Sequence, residues 1–404
     1  MNNFEYYNPV HIVFGKGQIA QLSQLIKPGQ KIMLAYGGGS IKTNGVYDQV
    51  LAALKGYKVI EFSGIEANPQ YQTCLKAAKL ANDEGVDFIL AVGGGSVIDG
   101  VKFIAAAARF DGDDPWDILR TSGSTLKEAI PFGTILTLPA TGSEMNFNSV
   151  ISRRETQEKL YFGHRCVYPV FSILDPETTY SLPANQLRNG IVDTFVHVME
   201  QYATHDVNTP LQDRQAEAII KTLIEQADNI MIKKEDYDSR ANFLWCATQA
   251  LNGLIGLGTV GDWLTHGIGH EMTAFFGLAH AETLAVIMPG VWTHFFQEKK
   301  GKLAQLARRT WHATGDIDTQ AQAAIDNTVK FFHSISMPTR LSDYNLSQDA
   351  IDTIVNRFQE RKKQLVAENS RALNQKWLDR YWIYADNYYS NVISAYFDDF
   401  FRSS

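Results

Sequence analysis

The sequence predicts an α/β domain built on a parallel, doubly wound sheet, followed by an all-helical domain. Three observations predict it. Up to about residue 175, short apolar runs ending in glycine or proline alternate with helix-length segments. Beyond that point strand signals nearly vanish and long apolar-periodic segments take over. The length, 404 residues, allows two or three domains at about 150 residues each. The change of texture at 174–182 sets the boundary, with residues 1–178 in the first domain and 179–404 in the second.

The elements follow in chain order. Residues 31–36 form an apolar run that stops at Gly37-Gly38-Gly39-Ser40, and 58–62 form a second strand. Residues 71–84 carry helical spacing, with Leu75, Ala78, Lys79 and Asn82 marking the turns. Residues 88–92 form a third strand, which stops at Gly93-Gly94-Gly95-Ser96, and an alanine-rich helix follows over 97–109. Residues 134–138 form a fourth strand, closed by Pro139. In the second domain, 185–204, 209–231, 239–256 and 349–368 read as helices. Pro183 stands just before the first of these, where a helix start tolerates it.

Composition excludes several function classes. Hydrophobic residues make up 45% and charged residues 20%, so the chain is not intrinsically disordered. A net charge of -7 argues against a nucleic-acid partner, while leaving room for a local phosphate pocket. Cys74, Cys166 and Cys246 are dispersed and odd in number, which excludes a disulfide scaffold and fits a reducing cytoplasm. With no C-x-x-C, a cysteine-ligated structural zinc is not expected. Residues 1–17 lack a basic stretch followed by an apolar core, so no secretory signal is expected. Residues 241–261 carry no charge, but Asn242, Thr248, Gln249 and Asn252 make them too polar to span a membrane. They read as a buried helix.

The glycine runs are the first chemical signal. Gly93–Ser96 joins a strand to a helix, so the backbone can approach a pyrophosphate and the helix offers unpaired N–H groups. The run is not G-x-G-x-x-G, and a tight connection with no ligand would look the same. Thr137, Thr141 and Ser143 close the next strand with hydroxyls, and ligands of open α/β sheets bind at such strand ends. A Rossmann-like nucleotide-binding domain is therefore expected. The turn at Gly37–Ser40 holds no carboxylate that would repel a 2′-phosphate, and it offers Ser40 and Lys42. If it contacts the ribose, NADP(H) is the better fit. Otherwise it is a plain connection.

The second signal is a set of imidazoles and one carboxylate. Asp193 and His197 stand at i and i+4 among Ile191, Val192, Phe195, Val196 and Val198, on one buried face. That spacing suits a shared metal or a simple hydrogen-bonded pair. His266 and His270 form another i, i+4 pair, and His280 follows, three of the ten histidines in the chain. Imidazole and carboxylate donors suit Fe²⁺ or Zn²⁺. Spacing does not decide whether His270 or His280 completes the coordination. Phe147, Trp263 and Phe275 fit the walls of an apolar pocket, but bulky aromatics near a site are more often core.

Together these segments resemble the iron-dependent (group III) alcohol dehydrogenase family, within it the butanol dehydrogenase-like, NADPH-dependent aldehyde reductases. The resemblance rests on YNPVHIVFGKG at 7–17, YGGGS at 36–40, GGGSVIDGVK at 93–102 and PATGSEMN at 139–146. It continues through LDP at 174–176, GIVDTFVHVME at 190–200 and the block from His266 to Glu282, so nearly the whole chain is covered. It implies a Rossmann-like α/β domain followed by an all-α domain, a dehydroquinate synthase-like architecture.

It further implies one divalent metal, Fe²⁺ or Zn²⁺, held by Asp193, His197, His266 and His280. His270 then lies near metal and nicotinamide as a proton-transfer or substrate-orienting residue. Cofactor contacts are implied for Gly38, Gly39, Ser40, Gly94, Gly95, Ser96, Asp99, Thr137, Thr141 and Lys159. Arg188 departs from the small apolar residue usual at that point, but all four ligand positions are intact. The implied reaction is hydride transfer between NADP(H) and small aldehydes or primary alcohols, in a cytoplasmic homodimer without nucleic-acid or membrane partners. A dehydroquinate synthase-like lyase and a non-catalytic metal- and nucleotide-binding module are the alternatives. The first would need more basic residues near Asp193 and His266 than the sequence shows.

Overall fold

Side chains alternate across a β-strand, and here both alternating sets are apolar, as a parallel sheet covered on two faces requires. The computed structural model describes residues 1–347 and 349–358. By packing, the chain forms two compact units, Met1–Asp262 and a second from Trp263 onward.

The first unit runs β1 (His11–Phe14), α1 (Leu22–Leu25), β2 (Lys31–Tyr36), α2 (Val46–Ala53), β3 (Lys58–Phe62), α3 (Tyr71–Asp83), β4 (Phe88–Gly94) and α4 (Gly95–Ala107). It continues with α5 (Asp117–Arg120), β5 (Phe132–Leu138), β6 (Asn148–Arg153), β7 (Glu158–Gly163) and β8 (Phe171–Leu174). Three long helices close it, α6 (Ala184–Tyr202), α7 (Pro210–Ile232) and α8 (Tyr237–Ala250). Six strands form one parallel sheet in the order β1-β8-β5-β4-β2-β3, and β6 and β7 form a separate antiparallel hairpin.

The pleat sorts the core into two halves. Met33, Ala35, Ile89 and Ala91 pack with Cys74, Ala77, Val101 and Ile104 of α3 and α4. Ile32, Leu34, Leu90 and Val92 pack on the opposite face with Leu22 of α1 and Val46 and Val50 of α2. The helix after β2 thus covers one face and the helix after β4 the other. The strands β2 and β4 are neighbours, with Tyr36 paired to Val92. Their ends form the topological switch point where open α/β sheets bind ligands.

All four strands expected from sequence are present, and the two glycine runs lie at the paired ends of β2 and β4. The strands β1, β6, β7 and β8 were not expected. Both β1 and β8 are four residues long, and β8 is buried throughout, so neither shows an alternating pattern. The last strand ends at Leu174 and the first long helix begins at Ala184. The uncharged stretch 241–261 splits: α8 ends at Ala250 and turns follow. Among the described residues no helix is long and apolar enough to cross a membrane.

The second unit contains α9 (Leu264–Phe276), α10 (His280–His294), α11 (Phe296–Trp311) and α12 (Ile317–Ser334). Helix α9 packs on α10, and α12 packs on both α10 and α11. The expected helix at 349–368 is helical over 349–358, and its remaining residues lie outside the described ones.

Candidate active site

The two glycine turns share the switch-point edge but differ in what surrounds them. At the end of β4 space is tight. A side chain on Gly94 would come within 2.9 Å of Leu138, and one on Gly95 would clash with Thr141. These glycines bring α4, which begins at Gly95, hard against the end of β5. At the end of β2 space is open. Nothing lies within 4 Å of where a side chain on Gly38 or Gly39 would begin, and Gly39 sits at φ +94°, a conformation that favours glycine. Gly38 and Ser40 are exposed.

Lys42, in the short 3-10 turn from Ser40, is already engaged. Its ammonium lies 3.2 Å from the Glu61 carboxylate and over the Tyr36 and Tyr47 rings. Hydrogen bonds from the Tyr47 and Tyr36 hydroxyls hold the Glu61 carboxyl below its usual range. The turn itself carries no carboxylate, but the fold delivers one from β3, which turn residues alone could not reveal.

Of the residues expected to touch cofactor, Thr137 is buried at the end of β5, and Ser96 is partly buried in the first turn of α4. Asp99 is occupied by protein groups. One carboxylate oxygen accepts from Ser143 Oγ at 2.5 Å and the other from the Val150 N–H at 3.0 Å. Burial raises its carboxyl, against the opposing influence of Lys102 and the Ser143 bond. Thr141 Oγ1 accepts from the Ser143 N–H at 3.2 Å.

Beneath these lies Lys102, which sequence reasoning passed over as part of a motif. Fully buried on α4, it donates to Ser143 Oγ (2.7 Å), Asn146 Oδ1 (3.0 Å) and the Asn148 carbonyl (2.7 Å). Lys159, on β7, is also buried and donates to Asn68 Oδ1 at 2.9 Å. Burial lowers Lys159 to about 8, with Asp193 and Asp99 raising it.

Asp193 and His197 lie on α6, each 4% exposed, with His197 Nδ1 3.9 Å from Asp193 Oδ2. Gly190, one turn earlier, is what lets this helix approach the loop after β5, because a side chain there would clash with the Pro139 carbonyl. Thr194 Oγ1 donates back to the Gly190 carbonyl at 2.8 Å. A carboxylate and an imidazole on one buried helix face, with facing atoms this close, fit two donors to one divalent cation.

The second unit supplies the histidines. His266 and His270 lie one turn apart on α9, and His280 is the first residue of α10. Gly277 at φ +70° ends α9 and turns the chain back. Gly269 lets α9 seat on α10, since a side chain there would come within 2.7 Å of Thr283 Oγ1. The ring centroids are 5.2 Å apart for His266–His280, 5.0 Å for His270–His280 and 6.3 Å for His266–His270. All three imidazoles therefore converge, as their spacing suggested.

The first unit thus holds a parallel sheet with two glycine turns at its switch point and a helix with Asp193 and His197, and the second unit holds the clustered histidines. The chain belongs to the iron-containing alcohol dehydrogenase family: residues 9–176 match that family, and residues 188–380 match the family's C-terminal region. It is 51% identical over 371 residues to the NADPH-dependent aldehyde reductase YqhD of Escherichia coli (strain K12), covering 91% of this chain and 96% of that one. It is 44% identical to the probable NADH-dependent butanol dehydrogenase 1 of Bacillus subtilis (strain 168), covering 88% and 93%. The crystal structure of E. coli YqhD superimposes with a TM-score of 0.88 at 50% identity, covering 90% of this chain and 93% of that one. The NADH-dependent butanol dehydrogenase A of Thermotoga maritima does so with a TM-score of 0.85 at 35% identity, covering 88% and 90%.

Proposed function

We propose that the protein reduces small aldehydes to primary alcohols with NADPH, and catalyses the reverse oxidation, using one divalent metal, Fe²⁺ or Zn²⁺. The observation that carries this reading is the pair of glycine turns at one switch point, in a chain of this family that also keeps a buried Asp193–His197 pair. Family membership favours redox chemistry over a lyase or a binding module. When bound, NADPH supplies the hydride and the metal supplies Lewis acidity toward the carbonyl.

The chain's own residues do the rest. Gly94, Gly95 and Ser96 present the start of α4 to the pyrophosphate, with Thr137 and Thr141 beside it. Gly38, Gly39 and Ser40 take the adenosine end, where the open space at Gly38 leaves room for a 2′-phosphate and Lys42 pairs with the Glu61 carboxylate that β3 brings to the turn. Lys159 donates to the cofactor from β7, and Asp99 acts by holding Ser143 and Val150 in place. Asp193 and His197 would hold the metal from α6, and His266 and His280 from α9 and α10. His270, whose ring lies beside His280, orients the substrate oxygen or passes it a proton.

The reading includes a domain boundary at 178/179, a cytoplasmic setting and a homodimer. The gap between the matched regions, 176 to 188, supports the boundary. The test is NADPH oxidation at 340 nm with short aldehydes, run beside NADH, with elemental analysis of the purified protein. Activity with NADPH and stoichiometric metal is the expected result. No oxidation of either cofactor across an aldehyde panel, with metal present, would overturn it.

A further inference from the structure

Asn68 lies in the loop between β3 and α3, which returns to the switch-point edge. The Gly64 N–H donates to the Gly37 carbonyl at 3.0 Å, and the Ile65 N–H to the Tyr36 carbonyl at 3.3 Å. The far end of the loop is fastened to the β6–β7 hairpin. The Ser152 N–H donates to the Pro69 carbonyl at 2.9 Å, and Gln70 forms an isolated parallel bridge with Ser152. On the hairpin, Ser152 is the cross-strand partner of Lys159. Loop and lysine are thus registered by backbone before any side chain is counted.

Asn68 itself sits at φ +59°, and Gln70 Nε2 donates to its carbonyl at 2.9 Å. Asparagine tolerates this region better than most residues, so a turn role alone would explain the conformation. The side chain does more. Its amide oxygen accepts the one hydrogen bond that the Lys159 ammonium donates among the described residues. A buried ammonium has three donors, and a single neutral acceptor fixes the direction of the other two.

We propose that Asn68 is a positioning residue for Lys159: its amide oxygen, held in place by a left-handed loop conformation, aims the Lys159 ammonium at the bound cofactor. This rests on the reading that Lys159 touches the cofactor. It also gives the loop between β3 and α3 a part in holding the cofactor that its sequence does not announce.

The experiment uses the full-length, metal-loaded enzyme, and measures kcat/KM for NADPH, KM for the aldehyde and the thermal midpoint. Asn68→Gly keeps the backbone conformation and removes the acceptor. Asn68→Ala removes both, and Asn68→Asp keeps an acceptor. The glycine and alanine variants should each lower kcat/KM for NADPH by about tenfold to a hundredfold, the scale of a lost hydrogen bond to a charge. The aldehyde KM should stay unchanged, and the aspartate variant should recover most of the loss. In a Lys159→Met background, Asn68→Gly should cost nothing further. Full activity of Asn68→Gly beside a damaged Asn68→Ala would overturn the proposal, leaving a backbone role only. So would additive losses in the double variant. If Lys159→Met alone leaves kcat/KM for NADPH unchanged, the underlying reading of Lys159 fails instead.

Discussion

Lys102 and Lys159 stand in the same unit, both buried, and burial lowers both ammonium groups to about 8. Their surroundings separate them. Lys102 commits three hydrogen bonds to the segment 143–148, tying α4 to the loop after β5, with Asp99 and Glu144 as its opposing charges. Lys159 commits one, to Asn68, and its electrostatic partners are Asp99 and the expected metal ligand Asp193. Both are buried, but unequal satisfaction separates a cation spent on the fold from the one proposed to meet the cofactor.

The strongest way to break this comparison is to remove Lys102. Lys102→Met takes the nearest buried cation from the Asp99 and Glu144 carboxyls, leaving Asp99 only Lys159, and leaves Ser143, Asn146 and Asn148 without its donor. Breaking one side of a buried charge cluster costs about 3–5 kcal/mol. Urea unfolding should show that loss, with cofactor and aldehyde kinetics damaged together in whatever fraction stays folded. A stable Lys102→Met enzyme would show that the three bonds are incidental.

Lys159→Met should behave in the opposite sense. One hydrogen bond to a neutral amide is lost, so urea unfolding should shift by about 1 kcal/mol. The kcat/KM for NADPH should fall by about tenfold to a hundredfold, or roughly 1.4–2.8 kcal/mol. If unfolding shifts as far as in Lys102→Met while cofactor kinetics hold, the two lysines have the same job.

The depressed Lys102 pKa also makes its contribution depend on pH. The folded chain releases this proton near 8, and the unfolded chain releases it near 10.5. Between those values the unfolded state binds more protons, so stability through this group rises with pH; below about 8 it is flat. The stability gap between wild type and Lys102→Met should therefore widen by about 1 kcal/mol from pH 7.5 to pH 9. A constant gap would mean that Lys102 titrates alike in both states.

What sequence alone revealed follows the range of the interactions. The glycine turns, the strands before them and the Asp193–His197 spacing are local patterns, and each was legible. So was the convergence of His266, His270 and His280, because one helix turn and one short connection bring them together. The choice between His270 and His280 was not, and ring separations of 5.0 to 6.3 Å among the three leave it to the family resemblance. Lys102 and its partners are 41 to 46 residues apart, and Asn68 and Lys159 are 91 apart. Pairings of that length depend on the sheet order, so no window of sequence contains them. Glu61 beside Lys42 escaped for the same reason, since β3 carries it to the turn after β2.

A third lysine supplies the smallest effect and the control. Lys79 Nζ lies 2.5 Å from Asp83 Oδ2 at i, i+4 on α3, shorter than any bond that Lys102 or Lys159 makes. Both side chains are more than half exposed. Water solvates either group once the other is removed, and lysine preceding the acid is the weaker orientation on a helix. Lys79→Met should therefore change stability by less than about 0.5 kcal/mol, with no effect on turnover. A larger loss would mean that short contact length, not burial with few alternative partners, governs what a lysine contributes here, and the contrast between Lys102 and Lys159 would then need another cause.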